Sequence, residues 1–285
     1  MKTSNFSDLE CTMPLLNPRS YLFVPGNRPD RFAKAYAAGA DAVVLDLEDS
    51  VAAADKSKAR AEVAAWLTAA RPVLVRVNTS DSEWFRDDLS LAKKPGIAGV
   101  LLPKAERVED IHLVADTFGA GVPILPQIET AQGFRNALAL ARAEQVQRLL
   151  FGSIDFQLDL AMTAEEDELL YFRSQIVLDS RLAGIQPPVD GVTTDINSTE
   201  RVRTDTLRAR RLGFGGKMCI HPKQVPVVNE GFTPSPEEEA WARKVVEASS
   251  AARGAAISVD GKMVDRPVLA RAEVILAMVE QLRQH

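Results

Sequence analysis

Cysteine is almost missing from this chain: 285 residues carry only Cys11 and Cys219, far apart and without metal-ligand spacing. A disulfide framework is therefore not expected, and a reducing compartment is. Cys219 falls inside an apolar run, where the thiol reads as a small buried hydrophobe. The three histidines offer no triad for zinc. No apolar stretch is long enough to span a bilayer, and the N-terminal MKTSNFSDLE lacks a signal core. The expectation is a soluble, cytoplasmic protein without a membrane partner. A net charge of -5 leaves no overall basic excess, so nucleic acid is not an expected partner. No G-x-G-x-x-G or Walker sequence opens a helix, which removes the usual signatures of dinucleotide and P-loop sites.

What is present is ordinary in amount, 46% hydrophobic and 26% charged, but regular in order. Short apolar runs alternate with amphipathic segments such as Lys56 to Leu67 and Thr130 to Ala141. Eight strands are expected near Tyr21–Val24, Ala42–Asp46, Val73–Val77, Gly99–Leu102, Pro123–Gln127, Leu149–Phe151, Val189–Val192 and Met218–Ile220. They are apolar nearly throughout, as in a parallel sheet covered on both faces. The count and length fit an α/β protein of (β/α)₈ TIM-barrel type. A doubly wound sheet uses the same units but gathers its site at one switch point, whereas polar residues here follow five or more strands.

Residues 1–18 read as a loose lead-in ending in Asn17-Pro18, and 19–232 as the barrel. Residues 233–285 read as a C-terminal extension: a helix after Pro236 ending near Arg253-Gly254, a hairpin around Asp260-Gly261, and a last helix from Pro267. That helix-hairpin-helix is expected to act as a lid or exchange arm.

Chemistry in such a barrel belongs at the strand ends. Those ends carry Asp46 and Glu48 in VVLDLED, Arg76 in LVRVN, Glu129 in ILPQIET, Asp155 in LLFGSID and His221 in KMCIHP. Two carboxylates with oxygen-only donors, Glu129 and Asp155, suit Mg²⁺. Each could otherwise cap the helix that follows. Arg76 in an apolar run needs an anion, either Asp46 or Glu48 across the barrel or a substrate carboxylate. Side-chain alternation turns Asp46 and Glu48 toward the mouth, leaving Asp49 to cap the segment from Ser50. Lys104 could neutralise a ligand or a carboxylate, and His221 reads as a structural hydrogen-bond partner. The turn at Pro25 and the helix opening with Arg28, Arg31 and Lys34 suit a phosphate. Phe32 could stack on a base or pack beneath the barrel.

The runs RSYLFVPGNRPDRFAKA, DAVVLDLEDSV, KSKAR, VRVN, LLPKAE, PQIET, IHPKQV and DGKMVDRPVLARAE together resemble the citrate lyase beta-subunit-like branch of the HpcH/HpaI aldolase superfamily, over about Arg19 to Ala277. The resemblance implies a TIM barrel, a homotrimer or dimer of trimers, Mg²⁺ (or Mn²⁺) as cofactor, and coenzyme A as part of the substrate. It implies Glu129 and Asp155 as metal ligands, Glu129 and Asp46 near the substrate, Arg76 contacting it, and Glu48 orienting the arginine or the metal's waters. It places coenzyme A around Pro25, Arg28, Phe32 and Lys34. It further implies that Asp265, in Gly261 to Asp265, is a general acid/base donated by a neighbouring subunit. The activity implied is an acyl-CoA lyase acting on citramalyl-CoA or malyl-CoA, with a citrate lyase beta subunit, a malyl-CoA thioesterase and a non-enzymatic acyl-CoA-binding barrel as alternatives. One departure stands out: members often carry Gly-x-Glu-Asp where this chain has Gly152-Ser-Ile-Asp155.

Overall fold

In the computed structural model, which describes residues 18–163, 166–251 and 257–284, eight parallel strands close into a barrel in chain order. They are β1 (Ser20–Pro25), β2 (Ala42–Asp46), β3 (Val73–Arg76), β4 (Ile97–Leu102), β5 (Ile124–Ile128), β6 (Leu150–Phe151), β7 (Val189–Asp190) and β8 (Gly216–Cys219). Pairing of Tyr21 with Met218 and Leu22 with Cys219 joins β1 to β8 and removes both edges. Closure excludes the doubly wound alternative. Expected ends at Val77, Val192 and Ile220 fall beyond the paired residues: Val77 is fully buried outside its strand, whereas Val192 is half-buried and Ile220 is 42% exposed at the mouth.

The apolar runs have two destinations. One side chain per strand (Tyr21, Val44, Leu74, Leu101, Leu125, Leu150, Val189 and Met218) fills the barrel interior as a separate cluster. Their neighbours, such as Leu22, Val43, Leu45, Val75 and Phe151, face the surrounding helices in the larger cluster. Strands buried on both faces cannot show polar alternation, which is why they read as continuous runs. Two residues beyond the interior layer, the same inward face carries Phe23, Asp46, Arg76, Gln127, Gly152 and Ile220.

The opposite, N-terminal ends of the strands are tied by Arg148, fully buried. Its guanidinium donates to the carbonyls of Pro187 at 2.6 Å and Pro18 at 2.7 Å, and to the Tyr21 hydroxyl at 2.9 Å. Arg148→Met would leave those acceptors without a donor, and should cost about 3 kcal/mol. Urea unfolding measures this directly; an unchanged midpoint would refute the role given to Arg148.

The chain divides into two compact units, one spanning Pro18–Phe232 and the other taking in the chain from Thr233 onward. In the second, helix Pro236–Ala251, hairpin strands β9 (Ile257–Val259) and β10 (Lys262–Val264), and helix Arg266–Arg283 enclose Ala242, Val245, Val264, Ala272 and Ile275. Asp260 and Gly261 both take positive φ, 50° and 76°, as a two-residue type I′ turn requires. The expected lead-in up to Asn17, Cys11 and the expected helix end at Arg253-Gly254 lie outside the described residues. No helix among the described residues is long and apolar enough to cross a membrane.

Candidate active site

A cavity of about 330 Å³ occupies the C-terminal mouth of the barrel, and its floor is organised by ion pairs. Arg76, inward on β3, donates from Nε to Asp46 Oδ1 at 2.6 Å and from Nη2 to Asp46 Oδ2 at 2.8 Å. This fork uses both oxygens of a carboxylate that is 1% exposed. Burial alone would raise the Asp46 carboxyl, but Arg76 outweighs it and leaves Asp46 below the usual carboxylate range. The Phe23 ring lies 5.1 Å from the guanidinium and supports it from β1. Asp46 therefore holds Arg76, and both its oxygens are engaged in doing so.

Arg76 also reaches Glu48, with Nη1 3.2 Å from Oε2, although that buried oxygen makes no aligned hydrogen bond. The other Glu48 oxygen takes the Lys104 ammonium at 2.9 Å. Burial raises the Glu48 carboxyl while Arg76 opposes the shift. Lys104 lies 3.6 Å from both Asp49 and Asp155 as well. Its backbone adopts φ 45°, a left-handed conformation costly for a side-chain-bearing residue, and its N–H donates to Glu129 Oε2 at 2.9 Å. Lys104 thus neutralises carboxylates, one of its two expected roles.

Glu129 is 1% exposed and accepts from Gln127 Nε2 at 2.6 Å as well as from Lys104. Burial pushes its carboxyl up to about 8 despite Arg76 and Lys104, with the charges of Glu48 and Asp155 adding to the rise. Gly152 makes room for it, because a Cβ there would overlap the Glu129 carboxylate. The capping alternatives fail for both acids. Thr130 caps the helix after β5 through Gly133 N–H at 3.0 Å, and Asp155 lies within the first turn of Ser153–Asp159, whose N-cap is Gly152.

The five carboxylates Asp46, Glu48, Asp49, Glu129 and Asp155 gather around two cations, Arg76 and Lys104. Asp46 is matched by Arg76 and Glu48 by Lys104. Lys104 is shared with Asp155, and both cations act on Glu129, so two cations against five carboxylates leave the mouth a negative excess. Among the described residues, no group of three or more His, Cys, Asp or Glu side chains forms a metal cage. The two acids alone leave most of a cation's coordination to water or ligand oxygens.

Other assignments change. Asp49 does not cap Ser50; Asp46 Oδ2 accepts the Ser50 N–H at 3.3 Å, because Asp46 faces the turn. His221 Nδ1 accepts the Lys223 N–H at 3.1 Å, the structural role expected of it. Pro25 and Lys34 line a second cavity of about 580 Å³ with Arg31, His221 and Lys223. Arg28 instead forks onto Asp30 at 2.9 and 2.7 Å on the surface. Phe32 is corrected: at 1% exposure, with its ring 5.6 Å from that of Trp66, it belongs to the core and has no free face for a base. Asp265 lies exposed in the second unit, where its carboxylate accepts the Val268 N–H at 3.3 Å as the last helix's N-cap.

Three contributors escaped sequence reasoning. Gln127 was detectable as a polar residue two before Glu129 on the same inward face. Gly152 stood in the Gly152-Ser-Ile-Asp155 run, but nothing there indicated that its missing side chain makes room for Glu129. Lys56 donates to the carbonyls of Leu47 and Glu48, both at 2.8 Å, and so fixes the turn carrying Glu48; nothing in its helical spacing indicates this.

Fold and site together define a (β/α)₈ barrel with an acid-rich, arginine-containing mouth. The chain belongs to the HpcH/HpaI aldolase/citrate lyase family, whose model matches residues 19–222. It is 41% identical over 275 residues to a citrate lyase subunit beta-like protein from Deinococcus radiodurans, covering 91% of this chain and 96% of that one. It is 35% identical over 279 residues to a (3S)-malyl-CoA thioesterase from Cereibacter sphaeroides, covering 91% and 96%. A crystal structure of protein CitE from Mycobacterium tuberculosis, in complex with magnesium, acetoacetate and coenzyme A, superposes with a TM-score of 0.83 at 35% identity, covering 92% of this chain and 98% of that chain.

Proposed function

We propose that this protein is a Mg²⁺-dependent lyase that splits a 3-hydroxyacyl-coenzyme A by retro-Claisen cleavage. The substrates we assign are (S)-citramalyl-CoA, giving acetyl-CoA and pyruvate, or malyl-CoA, giving acetyl-CoA and glyoxylate. One observation carries the reading: Asp46, Glu48, Asp49, Glu129 and Asp155 share two cations, Arg76 and Lys104, a carboxylate excess that a divalent cation held by Glu129 and Asp155 would offset. Family membership and the magnesium- and coenzyme A-bound CitE structure support it.

Glu129 and Asp155 would hold Mg²⁺, which supplies Lewis-acid polarisation and a template for substrate oxygens. Arg76, fixed by Asp46, presents its remaining N–H groups to charge developing on a substrate oxygen. Glu48 and Lys56 hold the turn beside it. Arg31, Lys34 and Lys223 give the second cavity the positive charge that coenzyme A phosphates need. In the reaction the substrate hydroxyl loses its proton, and its oxygen electrons form the keto product as the C–C bond breaks. The bond's electrons enter a thioester enolate, whose carbon is then protonated. Asp265, from a neighbouring copy in a homotrimer or dimer of trimers, takes the first proton and supplies the second, with the C-terminal unit as the exchange arm.

The thioesterase relative supports a second reading, hydrolysis of the same thioester at the same site. Incubation with citramalyl-CoA, malyl-CoA and citryl-CoA, with and without Mg²⁺, separates them by product mass. Pyruvate or glyoxylate is expected. Free hydroxy acid without either would select hydrolysis, a requirement for acyl carrier protein would select a citrate lyase beta subunit, and inert thioesters would end the proposal. Mixing Arg76→Ala with Asp265→Ala protein should restore activity if neighbouring copies share sites.

A further inference from the structure

Lys104 touches both members of the Glu129–Asp155 pair, and it does so through two different groups. Its backbone N–H donates to Glu129 Oε2 at 2.9 Å. Its ammonium lies 2.9 Å from Glu48 Oε1, 3.6 Å from Asp49 Oδ2 and 3.6 Å from Asp155 Oδ1. The left-handed φ of 45° is costly for a lysine, and these simultaneous contacts offset it. The two groups differ in freedom. The N–H is fixed by the backbone, whereas the ammonium rides on a flexible four-carbon stem and the side chain is 31% exposed.

At 3.6 Å, the contacts with Asp49 and Asp155 are charge attraction without a hydrogen bond. Leaving Asp155 therefore costs the ammonium less than leaving Glu48. An ammonium and a divalent cation that share one carboxylate repel at close range, more strongly in a half-buried mouth than in water. Asp155 is thus contested. From this juxtaposition we infer that Lys104 is the resident cation of the metal-free site. Its ammonium keeps the place beside Asp155 until a divalent cation enters, and then withdraws toward Glu48 and Asp49, while its N–H stays on Glu129. The same charge that holds the carboxylates together without metal weakens the affinity for metal. The inference rests on the metal site proposed above and adds what occupies that site beforehand.

Calorimetric titration of Mg²⁺ into metal-depleted, full-length protein at pH 9 reads the exchange without turnover, above the value of about 8 to which burial raises Glu129. Lys104→Met and Lys104→Gln remove the charge and keep the backbone N–H. Each should bind Mg²⁺ about tenfold tighter than the wild type, or more. Lys104→Arg keeps the charge and should not tighten binding. Without metal the neutral variants should melt lower, and saturating Mg²⁺ should raise their melting temperature by more than it raises the wild type's. Reductive methylation of wild-type Lys104, followed by peptide mass, needs no variant: Mg²⁺ should speed it as the ammonium leaves Asp155 for solvent. Wild-type or weaker affinity in the neutral variants, or methylation that Mg²⁺ leaves unchanged or slows, would overturn the exchange and leave the metal site standing. If the wild type binds no Mg²⁺, both fall together.

Discussion

Replacing Arg76 by methionine should cut turnover and weaken the barrel in one step. Asp46 is 1% exposed and gives both oxygens to this guanidinium, at 2.6 and 2.8 Å. Without it, a buried carboxylate keeps only the Glu48 and Ser50 donors, and breaking a buried pair from one side costs about 3–5 kcal/mol. The same substitution removes the only arginine lining the mouth cavity among the described residues, and with it about 10²–10³-fold in turnover from lost charge stabilisation. Stability should return in part when Asp46→Asn is added, since the stranded charge is gone, while turnover should not. Urea unfolding and product formation on the single and double variants separate the effects. An Arg76→Met protein with the wild-type midpoint, or one that turns over at the wild-type rate, would contradict the pairing.

The second large effect concerns Glu129 and pH. Burial holds its carboxyl at about 8, above the 4.5 ordinary for glutamate. A folded-state value above the unfolded one means that the protonated form stabilises the fold. That contribution is complete below about 4.5, declines as pH rises, and is gone above about 8. In metal-free protein this single group should lower stability by up to about 1.4 kcal/mol per pH unit within that window. Glu129→Gln keeps the neutral shape and its neighbours, so its stability should stay flatter across the window and exceed the wild type at pH 9. Thermal or urea unfolding from pH 5 to 9 measures the difference between the two proteins. Identical slopes would show that Glu129 ionises normally.

The sequence exposed the barrel because each strand must be apolar on two faces, and it exposed Arg76, Asp46, Glu129 and Asp155 because a charge interrupting such a run at its end has few other uses. Inward alternation correctly turned Asp46 toward the mouth, but Asp49 rather than the expected Glu48 joins it in lining the cavity. What it did not contain was the matching of partners. Arg76 was left between Asp46 and Glu48 and takes both, with the better geometry on Asp46. Lys104 reaches Glu48 from a backbone angle that no spacing argument predicts. For Phe32 the sequence left base stacking and packing beneath the barrel both open, because an aromatic near a basic helix start has the same local pattern whether the helix turns it outward or, as here, onto Trp66. Gly152 and Lys56 work through backbone proximity, one by having no Cβ against Glu129 and the other by holding two carbonyls.

The central claim is that Glu129 and Asp155 form the carboxylate pair that takes a divalent cation. Calorimetric titration of Mg²⁺ into metal-depleted protein, at pH 7 and pH 9 and in buffers of different ionisation enthalpy, tests it most directly. One binding event is expected, tighter at pH 9, with about one proton released near pH 7 as Glu129 ionises. Glu129→Gln and Asp155→Ala should each abolish the heat, whereas Asp49→Ala should preserve it. Absence of Mg²⁺ binding to the wild type, or binding that survives in Glu129→Gln, would contradict the claim.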